Sequence, residues 1–320
     1  MAVKTAVIGL GIMGQRMLEQ LILHKDYTPV ALWDPSADAC AAAQALAPEA
    51  EVTGSPEAAI AAADLVYLAC PPVPRKAYAL AAAAAGKAVF LEKPLGVDLA
   101  ESEALVAGLK ASGVPAAVNF TQAAGAALTD ISSAALAGEM GDLVGVDMVV
   151  TYAAWPRAWQ QAADWLRFRA EGGMTREVLS HFLFFTQRIF GPLTVSWAQP
   201  SYPGDPALCE TALLARLENE EGLPVSILAS VGGAQPDRQE FTIKGRKASH
   251  RVSNFSDHAI SEGGDFVPVP QPPADRRTVA LQAQLDDFLL CRAGKPHRLA
   301  TPQEALEVQR LVEEMLGGKG

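Results

Sequence analysis

Short apolar runs alternate with helical spacings through the first third of the chain. Lys4 to Ile8 has strand length, and Ile12 to Leu23 follows with Met13, Met17, Leu18, Leu21 and Ile22 at helical spacing. Thr28 to Leu32, Asp64 to Cys70, Lys87 to Leu91 and Pro115 to Asn119 read as further strands, with a very short one at Val52. Helices are predicted between them over Ala37 to Leu46, from Ser55-Pro56-Glu57 onward, over Pro74 to Ala85 and over Asp98 to Ser112. Ser36 or Asp38 can cap the first of these, and Pro56 suits a first helical position. Asp98 with Glu101 makes a capping-box pattern. Repeated strand–helix alternation predicts a doubly wound parallel sheet.

After about residue 120 the pattern changes. A helix is predicted over Thr121 to Ala137, then a long strand over Val144 to Tyr152. Ala153 to Gly173 reads as a loop carrying Trp155, Trp159 and Trp165, and Thr175 to Phe190 as a helix closed by Gly191-Pro192. Strands follow over Leu193 to Ala198, Ala207 to Leu217, Pro224 to Val231, Gln239 to Lys244 and His250 to Phe255. Their period-two faces, such as Val225, Ile227, Ala229 and Val231, predict an antiparallel sheet packed on one side. Pro268 to Pro273 reads as a stiff loop, and two helices, Thr278 to Cys291 and Thr301 to Leu316, end the chain.

Half of the 320 residues are hydrophobic and 19% are charged, which predicts a packed core. A net charge of −10 argues against a general nucleic-acid binder. Cys40, Cys70, Cys209 and Cys291 are far apart and lack CxxC spacing, so reduced thiols are expected. His24, His250, His258 and His297 form no ligand cluster, and no metal site is expected. The alanine run from Ala79 is too short to span a bilayer, and no signal-peptide pattern opens the chain. The expectation is a cytoplasmic protein without a membrane or nucleic-acid partner.

Three segments carry candidate chemistry. Gly9-Leu10-Gly11-Ile12-Met13-Gly14 lies between the first strand and first helix, the context in which GxGxxG binds a dinucleotide. Gly9 gives the tight turn, Gly11 the approach to the pyrophosphate, and Gly14 the close helix–sheet packing. Asp34, ending the second strand, would bind ribose hydroxyls and repel a 2′-phosphate, favouring NAD(H) over NADP(H). A capping role before Pro35 is its structural alternative. Cys70-Pro71 and Glu92-Lys93 end later strands and face the same crevice, so Ile12, Met13, Cys70, Pro71, Glu92 and Lys93 join the cofactor site. Lys93, followed by Pro94, is the candidate acid/base for a substrate hydroxyl. His181 is the candidate partner; Glu177, four residues earlier, would share its helical face and fix its tautomer. A buried core histidine is the plainer reading of His181. Trp155, Trp159 and Trp165, with Arg157, Arg167 and Arg169, either line a substrate cleft or pack a domain or subunit contact. Asn119, Trp155, Trp165 and Arg167 are the candidate substrate contacts.

The glycine loop, Glu92-Lys93-Pro94, and Gly172-Gly173 leading to a helix with Glu177 and His181 together resemble the Gfo/Idh/MocA oxidoreductases. This is the glucose-fructose oxidoreductase and inositol dehydrogenase group. The resemblance implies that Lys93 and His181 flank the substrate beside the nicotinamide, that the bond before Pro94 is cis, and that subunits pair through the open sheet. The chain departs from the family pattern with Glu177 for the usual aspartate, and with Leu179, Phe184 and Cys70-Pro71-Pro72-Val73-Pro74-Arg75 at other motif positions. Phe182, Phe184 and Phe185 could wall an apolar pocket, although helix core explains them as well.

The expected architecture is α/β. A Rossmann dinucleotide domain over residues 1–120 precedes an α+β domain over 121–320, which binds substrate and forms a homodimer or homotetramer through an open, mostly antiparallel sheet. The expected activity is NAD-dependent interconversion of a secondary alcohol and a ketone on a sugar, cyclic polyol or related small hydroxy compound. Reduction of a C=N or C=C bond, or a non-catalytic NAD-binding sensor, are the alternatives.

Overall fold

The computed structural model describes residues 2–161, 163–271 and 275–320, so Pro272 and Pro273 of the expected stiff loop lie outside the described residues. The chain forms two compact units, Met1–Ala123 with Arg277–Leu306, and Ala124–Arg276 with Glu307–Gly320.

The first unit is a doubly wound sheet. Its strands are β1 (Val3–Ile8), β2 (Tyr27–Trp33), β3 (Glu51–Val52), β4 (Leu65–Leu68), β5 (Ala88–Glu92) and β6 (Ala116–Asn119). Helices α1 (Ile12–Leu23), α2 (Ala37–Leu46), α3 (Pro56–Ala62), α4 (Pro72–Ala84) and α5 (Leu99–Ser112) connect them. The strand order is β3-β2-β1-β4-β5-β6, all parallel. The chain therefore switches direction between β1 and β4, and the crevice at their carboxyl ends is where such sheets take ligands. Side chains cap the helices as the sequence predicts: Ser36, Ser55 and Asp98 accept from the backbone N–H three residues on.

The unit's core joins Val7, Leu10, Met17, Leu18, Leu32, Tyr67 and Phe90 to Leu281, Leu285 and Phe288. The last three belong to α8 (Arg276–Arg292), which the sequence division assigns to the second domain. The division at residue 120 thus does not match the compact units. The reason is packing: Phe288 lies 5.0 Å from Phe90, the Tyr27 hydroxyl donates to the Leu285 carbonyl (2.7 Å), and Gln282 donates to Gln20. Each such large apolar side chain gains about 1.5–3 kcal/mol on full burial. The chain returns once more where the Val118 N–H donates to the Ala300 carbonyl (2.9 Å).

The second unit is built on an eight-stranded sheet. Its elements are α6 (Ala126–Leu136), β7 (Leu143–Tyr152), α7 (Ser180–Phe190), β8 (Leu193–Ser201), β9 (Ala212–Asn219), β10 (Pro224–Val231), β11 (Arg238–Gly245), β12 (Ser249–Ser253), β13 (Asp257–Ser261) and β14 (Val267–Pro268). The order is β14-β13-β12-β11-β7-β10-β9-β8. All neighbours are antiparallel except β7 and β10, which run parallel. Val146, Met148, Val150, Val225, Ile227, Phe241 and Ile243 are buried on one face. Phe182 and Phe185 of α7 pack on Phe241 at 5.0 and 4.6 Å. These two phenylalanines are helix core. Helix α9 (Pro302–Gly317) supplies its later turns to this unit.

Local predictions change in several places. Ala207 to Cys209 leave the expected strand because they pair with the tryptophan segment: Arg169 N–H donates to Ala207 and Cys209 N–H to Arg167. Strand β13 carries no clear sequence signal, since Asp257-His258-Ala259-Ile260-Ser261 lacks an aliphatic alternation.

Candidate functional site

The glycine loop has the geometry that pyrophosphate binding needs. Gly9 has φ +91°, a left-handed conformation that side chains disfavour, and a Cβ there would lie 2.3 Å from the Cys70 nitrogen. A Cβ on Gly14 would lie 1.9 Å from the Gly9 carbonyl oxygen. Around Gly11, by contrast, a Cβ would meet no atom within 4 Å. The loop is closed where the backbone packs on itself and open where a phosphate would approach the start of α1. Ile12 and Met13 stand half-buried in that first turn. These residues fit a dinucleotide.

Asp34 stands half-buried beside the loop, and both carboxylate oxygens accept backbone donors: Leu10 N–H at 2.7 Å and Ser36 N–H at 2.8 Å. The capping and cofactor readings coexist, because each oxygen keeps a second lone pair for a ribose hydroxyl. Cys70 is buried and Pro71 exposed at the end of β4, with Pro71 preceding α4.

Glu92 is fully enclosed. Its Oε1 accepts from the Tyr67 hydroxyl and from Asn119 Nδ2 (2.7 Å), and its Oε2 from the Lys93 N–H (3.2 Å). Gln284 Nε2 donates to Asn119 Oδ1 (2.7 Å). Burial pushes the Glu92 carboxyl above its usual range, opposed by Tyr67, Lys93, Arg75 and Asn119. Burial, with Glu92 adding to it, pushes the Tyr67 hydroxyl well up, which keeps it a donor. Asn119, expected to contact substrate, is 1% exposed, and both ends of its amide are engaged within the protein, where it braces Glu92.

Lys93 is half-buried immediately after β5, and the Lys93–Pro94 peptide is cis, as the resemblance implied. Arg75, which sequence reading treated only as a departure from the family pattern, is 2% exposed. Its Nη1 donates to the carbonyls of Glu92 (2.7 Å) and Pro94, and its Nη2 to the carbonyl of Cys70 (2.5 Å). A basic residue in the first turn of a helix that follows a crevice strand was the available signal.

The second unit holds the remaining candidates. The segment expected as one helix from Thr175 is a π-helical stretch, Thr175–Leu179, running into α7. Such wide turns favour functional sites, and here neighbouring groups tie it down. Arg176 donates to both oxygens of Glu313 (2.7 Å each) and to the carbonyls of Arg169 and Gly172. Buried Glu210 accepts the Thr175 N–H (2.8 Å), and burial raises its carboxyl. Gly173, at φ +106°, leaves room for that carboxylate, since a Cβ would lie 2.4 Å from it.

His181 is 8% exposed, with its ring edge-on to Phe255 at 5.5 Å. Glu177 accepts from Gln160 Nε2 (3.1 Å) and faces the Arg157 guanidinium at 3.7 Å. Arg157 also donates to Gln160 (2.8 Å) and lies over the rings of Tyr152, Trp155 and Trp159 at 5.3, 5.7 and 4.7 Å. Trp155 donates its indole N–H to the Leu166 carbonyl (2.9 Å), and Arg157 lies within the aromatic cluster for which substrate stacking and packing were the two expectations. Trp165 is half-buried; Arg167 is exposed, paired with Asp164 at 3.0 Å and stacked on Phe168. Among the described residues no group of three or more His, Cys, Asp or Glu could hold a metal ion, and no helix is long and apolar enough to cross a membrane.

A glycine-loop crevice at the switch point of a six-stranded parallel sheet, with a lysine just after the next strand but one, is the arrangement expected of a nicotinamide-dependent oxidoreductase. Residues 3–120 match the GFO_IDH_MocA family, the oxidoreductase family with an NAD-binding Rossmann fold. The match spans the six-stranded sheet and its helices. It is 26% identical to a protein of Amycolatopsis mediterranei described as a candidate UDP-kanosamine synthase oxidoreductase subunit, over 100% of this chain and 97% of that one. Over 112 residues, 33% of each chain, it is 39% identical to an inositol 2-dehydrogenase of Acidiphilium cryptum. Its fold resembles that of the WlbA dehydrogenase of Bordetella pertussis, solved with NADH and UDP-GlcNAcA. The TM-score is 0.82 at 20% identity, covering 98% of this chain and 94% of that one.

Proposed function

We propose that the chain is an NAD-dependent dehydrogenase that interconverts a secondary alcohol and a ketone on a sugar, cyclic polyol or related hydroxy compound. The observation that carries this reading is the fixed position of Lys93. It follows β5, next but one to the loop-bearing strand, and its backbone is bound through Glu92 and Pro94. Bound NAD supplies a hydride acceptor or donor at the nicotinamide ring. Gly9, Gly11 and Gly14 would admit its pyrophosphate, and Asp34 its adenosine ribose, which favours NAD(H) over NADP(H). The Lys93 ammonium and amine exchange a proton with the substrate oxygen as hydride moves. In the second unit His181 is a further proton-transfer candidate, with Glu177 held by Gln160 and Arg157.

The reading gains from relatives whose names include an inositol dehydrogenase and a nucleotide-sugar oxidoreductase. The test is a panel of myo-inositol, UDP-N-acetylglucosamine and simple hexoses, with NAD reduction followed by absorbance. Lys93→Met should keep NADH affinity and lose turnover by about 100-fold or more. Wild-type rates in that variant would remove Lys93 from the chemistry. NADH binding with no hydride transfer to any alcohol, ketone, imine or enone would favour a sensor.

We further propose that the outer face of the eight-stranded sheet joins copies of this chain into a homodimer or homotetramer. Leu214 and Leu228 are cross-strand neighbours there, 45% and 46% exposed, and Trp197 is 43% exposed. Grouped apolar residues on a sheet face are typical of association surfaces.

A further inference from the structure

We infer that Arg75 is a positioning residue for Lys93. The inference rests on the proposed acid/base role of Lys93. One nitrogen of the guanidinium, Nη1, binds the carbonyl before Lys93 and the carbonyl after it, those of Glu92 and Pro94. The other, Nη2, binds the carbonyl of Cys70 beyond the end of β4. The side chain starts from the first turn of α4, so one cation ties two crevice strands and their covering helix together around the lysine backbone.

Stability alone is a poor reason for this arrangement. Burying a cation is costly unless a well-placed partner compensates. Among the described residues Arg75 forms no ion pair, although Glu92 lies close enough to interact with its charge. Its Nε has no acceptor among the described residues, which adds to the cost of burying it. What the arrangement supplies is a fixed backbone on both sides of Lys93. A long, flexible side chain can place its terminal amine only as accurately as its backbone is held, and an error near 1 Å can cost on the order of 100-fold in rate.

The test uses the full-length protein carrying Arg75→Met or Arg75→Lys, with the native chain and Lys93→Met beside them. NADH affinity is read by fluorescence titration and backbone mobility by amide hydrogen exchange over residues 88–97. The reactivity of Lys93 is read by competitive acetylation with acetic anhydride as a function of pH. Turnover is measured with whichever member of the alcohol panel the native protein oxidises. In Arg75→Met, NADH affinity should stay within about threefold, while exchange over 92–95 rises about tenfold or more and the acetylation profile of Lys93 moves. The kcat should fall about tenfold or more with KM little changed, and Arg75→Lys should recover part of both effects because it keeps one donor to a carbonyl.

Unchanged exchange and acetylation in folded Arg75→Met would overturn the inference. So would parallel losses of NADH affinity and turnover, which would mark a general structural role. If Arg75→Met fails to fold, Arg75→Lys and Arg75→Gln carry the same measurements. If Lys93→Met keeps full turnover, the acid/base reading fails, whereas the exchange and acetylation results still report whether Arg75 holds the segment.

Discussion

Gly14 lies against the carbonyl of Gly9, so close that a Cβ at position 14 would stand 1.9 Å from the oxygen. The contact brings α1 down onto the end of β1 and points the helix start at the crevice. Gly14→Ala should therefore open the loop. We expect a loss of about 1–3 kcal/mol in urea unfolding and at least about tenfold weaker NADH binding. A variant with native stability and affinity would show that the loop tolerates a side chain there.

Asp34 braces the glycine loop through Leu10, and under the proposed NAD preference its charge would disfavour a 2′-phosphate. Asp34→Asn removes the charge and retains an acceptor. The ratio of NADPH to NADH dissociation constants should fall by about tenfold. An unchanged ratio would mean that cofactor choice lies elsewhere.

Gly173 and Glu210 are matched in size. With φ at +106° and the carboxylate 2.4 Å from where a Cβ would be, Gly173→Ala meets both backbone strain and overlap. It should cost about 1–3 kcal/mol by overpacking alone, measured by urea unfolding. A cost below about 0.5 kcal/mol, the range of ordinary surface changes, would contradict this account.

His250 and His258 are buried on β12 and β13, with rings stacked at 5.1 Å and Nδ1 to Nε2 at 2.9 Å. Asp130 stands 3.8 Å from His258, and Glu139 also acts on His250. Burial nevertheless lowers both histidines below their ordinary value near 6.5. A histidine lowered in the folded state binds more protons when unfolded. Its contribution is therefore present above about pH 6.5 and is lost as pH falls through the folded value. The urea midpoint should drop between pH 7 and pH 5, and the drop should be smaller in a His250→Leu, His258→Leu double variant. An equal drop in both proteins would assign the acid sensitivity to other groups.

Leu228→Arg places a charge among Leu214 and its outward-facing neighbours. If that face joins copies, the variant should sediment as a smaller species than the native protein at equal concentration, with its melting transition still cooperative. An unchanged sedimentation coefficient would point to another surface.

Much of the fold was legible because local rules act on neighbouring residues. Strand runs alternated with helical spacings, caps such as Asp98 announced helix starts, and Gly9, Gly11 and Gly14 sat where a turn and a phosphate need them. Glu92, Lys93 and Pro94 stood out because proline rarely ends a buried strand without reason. Arg75 was not legible in this way. Its role depends on three carbonyls, 5, 17 and 19 residues away, that only sheet formation brings together. The bracing by Asn119 was hidden for the same reason, since its partners Glu92 and Gln284 come from distant segments.

The sequence by itself determined the parallel α/β order, the glycine loop and the lysine that follows β5, because periodicity, capping and glycine spacing are local properties. Tertiary structure decided the rest. It joined α8 to the first unit, because Leu281, Leu285 and Phe288 complete that unit's core. It made Glu92 a braced acceptor among Tyr67, Asn119 and Lys93, and it filled the tryptophan cluster with Arg157. Those outcomes depend on which groups lose water together, and burial is a property of the packed molecule.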